Sequence, residues 1–241
     1  MERNPGFSYT LRSTIPVGGG LGSSASFCIC LSTALLLQMR ALAGPHPDQP
    51  AHEAEHQIKR INCWAFVGEL FLHGEPSGVN NTVSSRGRAV RFCKHPTEPP
   101  SVAPLAHFPK LRLLLVDTKQ PRSTAAQVDA VRQMKAVRGR PSSSPPWMPS
   151  ASSPRRSGVK EDAVRGFERA CVAEGFATYE AILGANGVGV LWPAVFGSGP
   201  DGKKGEEIDQ ERFESAVRAR GIEELVGVGA REDRQGWKFW R

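Results

Sequence analysis

Cysteine is scarce and unpaired in this chain. Cys28, Cys30, Cys63, Cys93 and Cys171 are odd in number and none forms a C-x-x-C pair, which argues against a disulfide framework and a structural zinc site. His56 and His73 also lack partners at ligand spacing, so solvated or packing roles are expected of them. Long apolar runs are missing too. The longest, Phe27 to Leu37, falls well short of the ~20 residues a membrane helix needs. Met1 to Asn4 run straight into an alternating segment rather than a secretory signal. Cytosol is therefore the expected compartment, with no membrane partner. No basic stripe and no aromatic-basic motif occurs: the 31 Lys and Arg, set against 24 Asp and Glu, are spread along the chain with only short clusters such as Arg155-Arg156. The net charge of +7 suits an anionic ligand such as a nucleotide, and nucleic acid is not an expected partner.

What is present is ordinary for a globular protein. The 241 residues are 39% hydrophobic and 23% charged, enough for one large or two small domains with a sizeable core. Phe7, Tyr9 and Leu11 alternate with polar residues, which predicts a half-buried strand. Ser24 to Leu42, rich in Ala and Leu, predicts a buried helix ended by Gly44-Pro45, and His52 to Leu72 a second helix broken by Gly74 to Gly78. A strand is expected to begin at Ala89 to Phe92. Pro96 to Pro109 reads as a proline-rich connection at a domain boundary. Leu111 to Val116 suits a buried strand, and Thr124 to about Val137 a helix. Pro141 to Gly158 is nearly all Pro, Ser and Arg, too poor in apolar residues to order itself. Beyond it the pattern predicts a helix over 161–174, strands over 176–182 and 187–191, and an exposed helix over 206–218.

Between the first strand and the first helix lies Pro16-Val17-Gly18-Gly19-Gly20-Leu21-Gly22-Ser23-Ser24-Ala25. Glycines let backbone N–H groups approach a phosphate and permit positive φ. The helix that follows presents N–H groups and a favourable dipole to an anion. Ser23 and Ser24 add hydroxyls suited to a phosphate oxygen or Mg²⁺. No G-K-[ST] follows, so this is not a Walker-type loop, and the run does not fit the dinucleotide spacing well. The bland alternative is a flexible turn with Ser24 as helix N-cap.

The ten-residue segment resembles the second motif of the galactokinase, homoserine kinase, mevalonate kinase and phosphomevalonate kinase (GHMP) superfamily. Ile61-Asn62-Cys63-Trp64-Ala65-Phe66-Val67-Gly68-Glu69, His73-Gly74-Glu75-Pro76-Ser77-Gly78-Val79-Asn80-Asn81 and Asp117 to Thr124 resemble the mevalonate kinases, and the tail from Glu174 to Trp240 resembles the fungal ones. The likeness covers about 7–138 and 165–241. It implies ATP and Mg²⁺ as cofactors and mevalonate as substrate, in sterol and isoprenoid synthesis, with a homodimer as the family's assembly. It implies phosphate binding by Gly18, Gly19, Gly20, Leu21, Gly22, Ser23 and Ser24, and Mg²⁺ binding by Ser24 and Glu69. By position alone Glu69 would be a solvent-facing helix residue. The turn at Ser77, a helix-to-helix corner by composition, delivers in that family an aspartate acting on the mevalonate hydroxyl. Here Asn80 stands at that place. Thr124, by itself a helix cap, matches a substrate-side threonine.

Two family features have no match: an early strand carrying a lysine, and a third glycine-rich motif expected between Gly139 and Ala173. The codons of Trp147-Met148-Pro149, TGG-ATG-CCN, read Asp-Ala two bases later, as though real sequence were out of frame. The fold implied is α+β, a two-domain GHMP kinase in incomplete copy. Residues 1–106 are the expected truncated N-terminal domain, and 107–241 a C-terminal remnant with 141–158 disordered or out of frame. Impaired turnover follows as the expectation, with a non-catalytic remnant as the alternative.

Overall fold

A computed structural model describes residues 7–16, 19–74, 76–93, 101–105, 108–119, 133, 161–192, 195–196, 206–217, 221–222, 225 and 237–240. Gly18, Thr124, the expected 124–137 helix apart from Gln133 (itself helical), the Pro/Ser segment 141–158 and half of the proline-rich connection lie outside those residues.

Helix α1 is Ser23–Gln38 and helix α2 is Ala51–His73. Leu, Ala and Ser carry α1 without Pro or Gly. Its buried residues Ala25, Cys28, Ile29, Thr33 and Leu36 follow the i, i+3, i+4 spacing of a helix and form one face. The helix stops four residues short of the expected Leu42. Arg40 takes a left-handed φ of 53°, and its N–H bonds the Leu37 carbonyl while that of Ala41 bonds Leu36, a Schellman closure that ends the helix before the Gly44-Pro45 breaker is reached. Helix α2 buries Ala54, Ile58, Ile61, Ala65 and Glu69 along one stripe and ends at Gly74, whose φ is 74°. Its other side leaves Trp64 56% and Phe71 86% exposed. Helix α3, Val79–Arg86, begins and ends at glycines of positive φ, Gly78 and Gly87.

The first two helices are antiparallel. Cys28, near the start of α1, meets Gly68 near the end of α2, while Arg60 in mid-α2 donates to the carbonyl of Ala41 beyond the end of α1. Between them lies the core, Cys28, Ile29, Leu36, Leu42, Ala54, Ile58, Ile61 and Ala65, joined by Trp240 with Val188 and Val190 packed against it. The Trp240 indole N–H donates to the Ala43 carbonyl at 3.1 Å.

The strands form two-stranded sheets. β1 (Val90–Cys93) pairs antiparallel with β2 (Ser101–Pro104), so a strand lies inside the proline-rich connection. β3 (Leu111–Asp117) pairs with β4 (Ala177–Leu183). The expectation of a buried strand at 111–116 is corrected: Leu111 to Leu113 are exposed, because a two-stranded ribbon covers little of either face. Helix α4, Glu161–Ala173, matches its expected place. β5 (Gly189–Leu191) pairs antiparallel with β8 (Trp237–Phe239). The exposed helix expected over 206–218 is also corrected. Glu206–Glu207 form β7 against β6 (Val195–Phe196), and only Gln210–Ser215 are helical, as α5, capped by Asp209 accepting from the Arg212 N–H at 2.7 Å.

The strand expected at 7–12 is absent. Phe7, Tyr9 and Leu11 are 63%, 45% and 45% exposed, and no described strand lies beside them. Their polar alternates bond to α5 instead: Thr10 donates to a Glu214 carboxylate oxygen at 3.1 Å, and Arg12 donates to the carbonyls of Phe213 and Glu214. The chain divides into two compact units, residues 1–113 with 180–241, and 114–179. The first is a mixed layer of helices and short antiparallel strands, and the described part of the second is chiefly α4 with the adjoining ends of β3 and β4. Among the described residues no helix is long and apolar enough to cross a membrane.

Candidate phosphate-binding site

Glycine 20 and Gly22 adopt φ of 70° and 74°, a conformation in which a β-carbon clashes with backbone. The space where Gly20 would carry a side chain is open, with nothing within 4 Å. Gly22 is the N-cap of α1, and no side chain caps the helix. Ser24 is the second helical residue and not the cap, so the plain N-cap account of this serine does not hold. The first-turn N–H groups of α1 thus face the glycine loop without a side-chain acceptor, as an anion site requires. Leu21 is exposed, and Ser23 and Ser24 are half-buried. The Gly19 N–H turns back to the Pro16 carbonyl at 3.4 Å.

Helix α3 brings a second N-terminus to the same end. The Asn80 side chain lies over Gly22, its Cγ 3.6 Å from where a β-carbon on Gly22 would stand. One turn on, the hydroxyls of Ser26 and Ser84 are 3.4 Å apart, so α1 and α3 run in the same direction. At the start of α3 the Ser77 hydroxyl accepts from the Val79 N–H at 3.4 Å, and Gly78 packs against the Phe66 ring.

The C-terminal end of α2 completes the group. A β-carbon on Gly68 would stand 3.0 Å from the Cys28 sulfur, so glycine lets the helices close. The next residue, Glu69, is only 4% exposed, which corrects the solvent-facing account. Its Oε1 accepts from the Cys28 thiol at 3.8 Å and lies 3.9 Å from Nε2 of His73, one turn along α2. Burial first, and then the Glu69 charge and hydrogen bond, push the Cys28 thiol up to about 11, so the sulfur stays a protonated donor. Ser24 precedes Cys28 by one helical turn and shares its face of α1.

This end of the helix layer is electrically two-sided. Two helix N-termini offer partial positive charge to a phosphate, while the α2 C-terminus and the Glu69 carboxylate offer negative charge to a cation. Among the described residues the buried carboxylate is flanked by a thiol and an imidazole, and its oxygens, with a serine hydroxyl a turn before that thiol on α1, are hard donors of the kind that fit Mg²⁺. Of the residues picked from sequence, Gly19 to Ser24, Glu69, Ser77 and Asn80 fall on the elements that meet here, whereas Gly18 and Thr124 are outside the described residues. Cys28 and the role of His73 were missed. The i,i+4 spacing of Glu69 and His73 was a readable signal, but nothing in sequence pairs Cys28 with α2.

Residues 1–84 match the GHMP kinases N terminal domain. A mevalonate kinase of Aspergillus fumigatus is 46% identical over 313 residues, taking in 100% of this chain and 58% of the relative. One from Gibberella zeae is 40% identical over 309 residues, with 97% and 61% covered. A mouse mevalonate kinase is 42% identical over 130 residues, covering 53% of the chain and 32% of the relative. The chain therefore spans about three fifths of the fungal relatives' length. Those alignments are longer than the chain's 241 residues, so the fungal proteins hold internal residues with no counterpart here.

Proposed function

Because the chain carries a GHMP kinase N-terminal domain over residues 1–84 and resembles mevalonate kinases along its length, we propose that its reaction by descent is ATP-dependent phosphorylation of mevalonate at the 5-hydroxyl, and that this chain performs it weakly. The observation that carries the reading is the meeting of Gly22, Asn80 and the buried Glu69 at one end of three helices.

In this reading the backbone of Gly18 to Ser23 holds the phosphates through N–H donors fixed by the loop. Ser24 and Glu69 would hold Mg²⁺, which would supply charge neutralisation at the phosphate oxygens. Glu69 is held by α2 at the α1 crossing, so the carboxylate needs no rearrangement to serve. Ser77 and Thr124 would stand on the substrate side. Asn80 occupies the place from which a base would act on the mevalonate hydroxyl. Its amide oxygen can accept a hydrogen bond and so orient that hydroxyl, but it cannot take up the proton, and a general base typically contributes ~10²–10⁴-fold.

A second reading is a non-catalytic remnant that at most binds nucleotide or a partner. Asn80, together with the internal residues the fungal relatives have and this chain lacks, favours it. Cytoplasmic location, a homodimer, and the division into a truncated N-terminal domain at 1–106 and a remnant at 107–241 belong to the same proposal. Mevalonate-dependent ADP release by the purified chain and by Asn80→Asp distinguishes the two readings. The kinase reading expects a rise of ~10²–10⁴-fold in kcat for the variant. No turnover by either protein would establish the remnant, and robust turnover by the unmodified chain would eliminate it.

A further inference from the structure

Both polar neighbours of the Glu69 carboxylate touch the same oxygen. Cys28 Sγ and His73 Nε2 approach Oε1 at 3.8 Å and 3.9 Å from different helical positions. Among the described residues Oε2 has no hydrogen bond or ion pair. The side chain is otherwise set in the apolar face of α2, with Ala65 fully buried one turn before it. Gly68 keeps Cys28 in place, since a side chain there would displace the sulfur or part the helices.

We propose that Cys28 and His73 are positioning residues that tie down Oε1 of Glu69 and thereby present Oε2 to the divalent cation of a bound nucleotide. This rests on the reading of Glu69 as a cation ligand and adds what makes that ligand specific. A glutamate has three rotatable bonds, and on an unconstrained helix surface its carboxylate samples many positions. Tying one oxygen leaves the other as a single-oxygen ligand with a fixed direction, which matches the strict octahedral geometry of Mg²⁺. The thiol donates from α1 and the imidazole stands within ion-pair distance from the last turn of α2, so both helices of the crossing set the direction. Partners that hold a ligating carboxylate commonly influence metal affinity by ~10–100-fold when removed.

The experiment measures binding of a fluorescent ATP analogue to the full chain while Mg²⁺ is titrated, and again with Mg²⁺ chelated. Cys28→Ala and His73→Leu are expected to raise the Mg²⁺ concentration for half-maximal binding by ~10-fold or more, with the Mg²⁺-free affinity unchanged. Cys28→Ser, which keeps a donor, is expected to restore most of the loss. Unchanged Mg²⁺-free affinity certifies that each variant is folded, which a merely structural defect would not allow. If Glu69→Gln raises the Mg²⁺ requirement while Cys28→Ala and His73→Leu leave it alone, the positioning role is overturned and the ligand reading stands. Should Glu69→Gln itself leave the requirement unchanged, the ligand reading falls and the positioning role falls with it.

Discussion

Arginine 86 closes α3 onto the start of α2 through two guanidinium nitrogens, Nη1 to Glu55 Oε2 at 2.6 Å and Nη2 to Oε1. The hydrogen bond from Arg86 is the main cause that holds the Glu55 carboxyl below its ordinary value; burial, the next largest influence, opposes it, and the charges of Arg86, Lys59 and His56 add to the lowering. A carboxyl whose folded value is lowered contributes stability above its ordinary range and loses it as pH falls through the folded value. Arg86→Ala is therefore expected to cost up to about 1 kcal/mol at neutral pH, since the pair is partly exposed, and nothing once Glu55 is protonated in both proteins. Denaturant unfolding of the two proteins across the acid range checks this, and a difference that persists at the acid end would refute it. Glu69 shows how far a single residue was legible. The surrounding motif singled it out as a candidate ligand, but its burial could not be read, because that depends on Gly68 admitting the Cys28 sulfur of another helix.

Among elements, α1, α2 and α4 were readable because composition and Gly or Pro punctuation agree over more than ten residues. The α1 terminus was not, because its stop is a left-handed arginine rather than the glycine that usually takes that conformation. Arg40→Gly is expected to remove a strain of about 1 kcal/mol and raise unfolding stability by a similar amount in a chemical denaturation curve. Strands fared worse for a reason of their own. Alternation at 7–12 says which side chains share a face, but it cannot supply the neighbouring strand whose hydrogen bonds make a strand stable. The acidic stretch at 206–218 has helical composition, yet two of its residues pair with β6, a contact that local propensity does not encode.

At the scale of the whole molecule, the layer that carries the glycine loop is closed by residues distant in sequence. The Val188 N–H bonds the Ser85 carbonyl and the Arg88 N–H bonds that of Ala185. Gly87 and Gly187 cross so closely that a β-carbon on either would collide with the other's backbone. Trp240, 5% exposed, fills the same core from the far end of the sequence. Trp240→Ala is expected to cost ~3–5 kcal/mol, read as a fall in the urea midpoint, and a cost below about 1 kcal/mol would mean that the tail is not part of this core. The crossing of the two glycines also sets an order of events in time. The α1–α2–α3 layer is made first on the ribosome, but its last hydrogen-bond partners and its indole arrive only after the chain between them, a separation of 197 residues for Trp240 and Ala43, has been synthesised. Until then the nascent helices hold an open core that a chaperone can recognise, and contacts of such long range are slow to close. A longer interval leaves that core open for longer, a vulnerability separate from the strength of any contact within the helices.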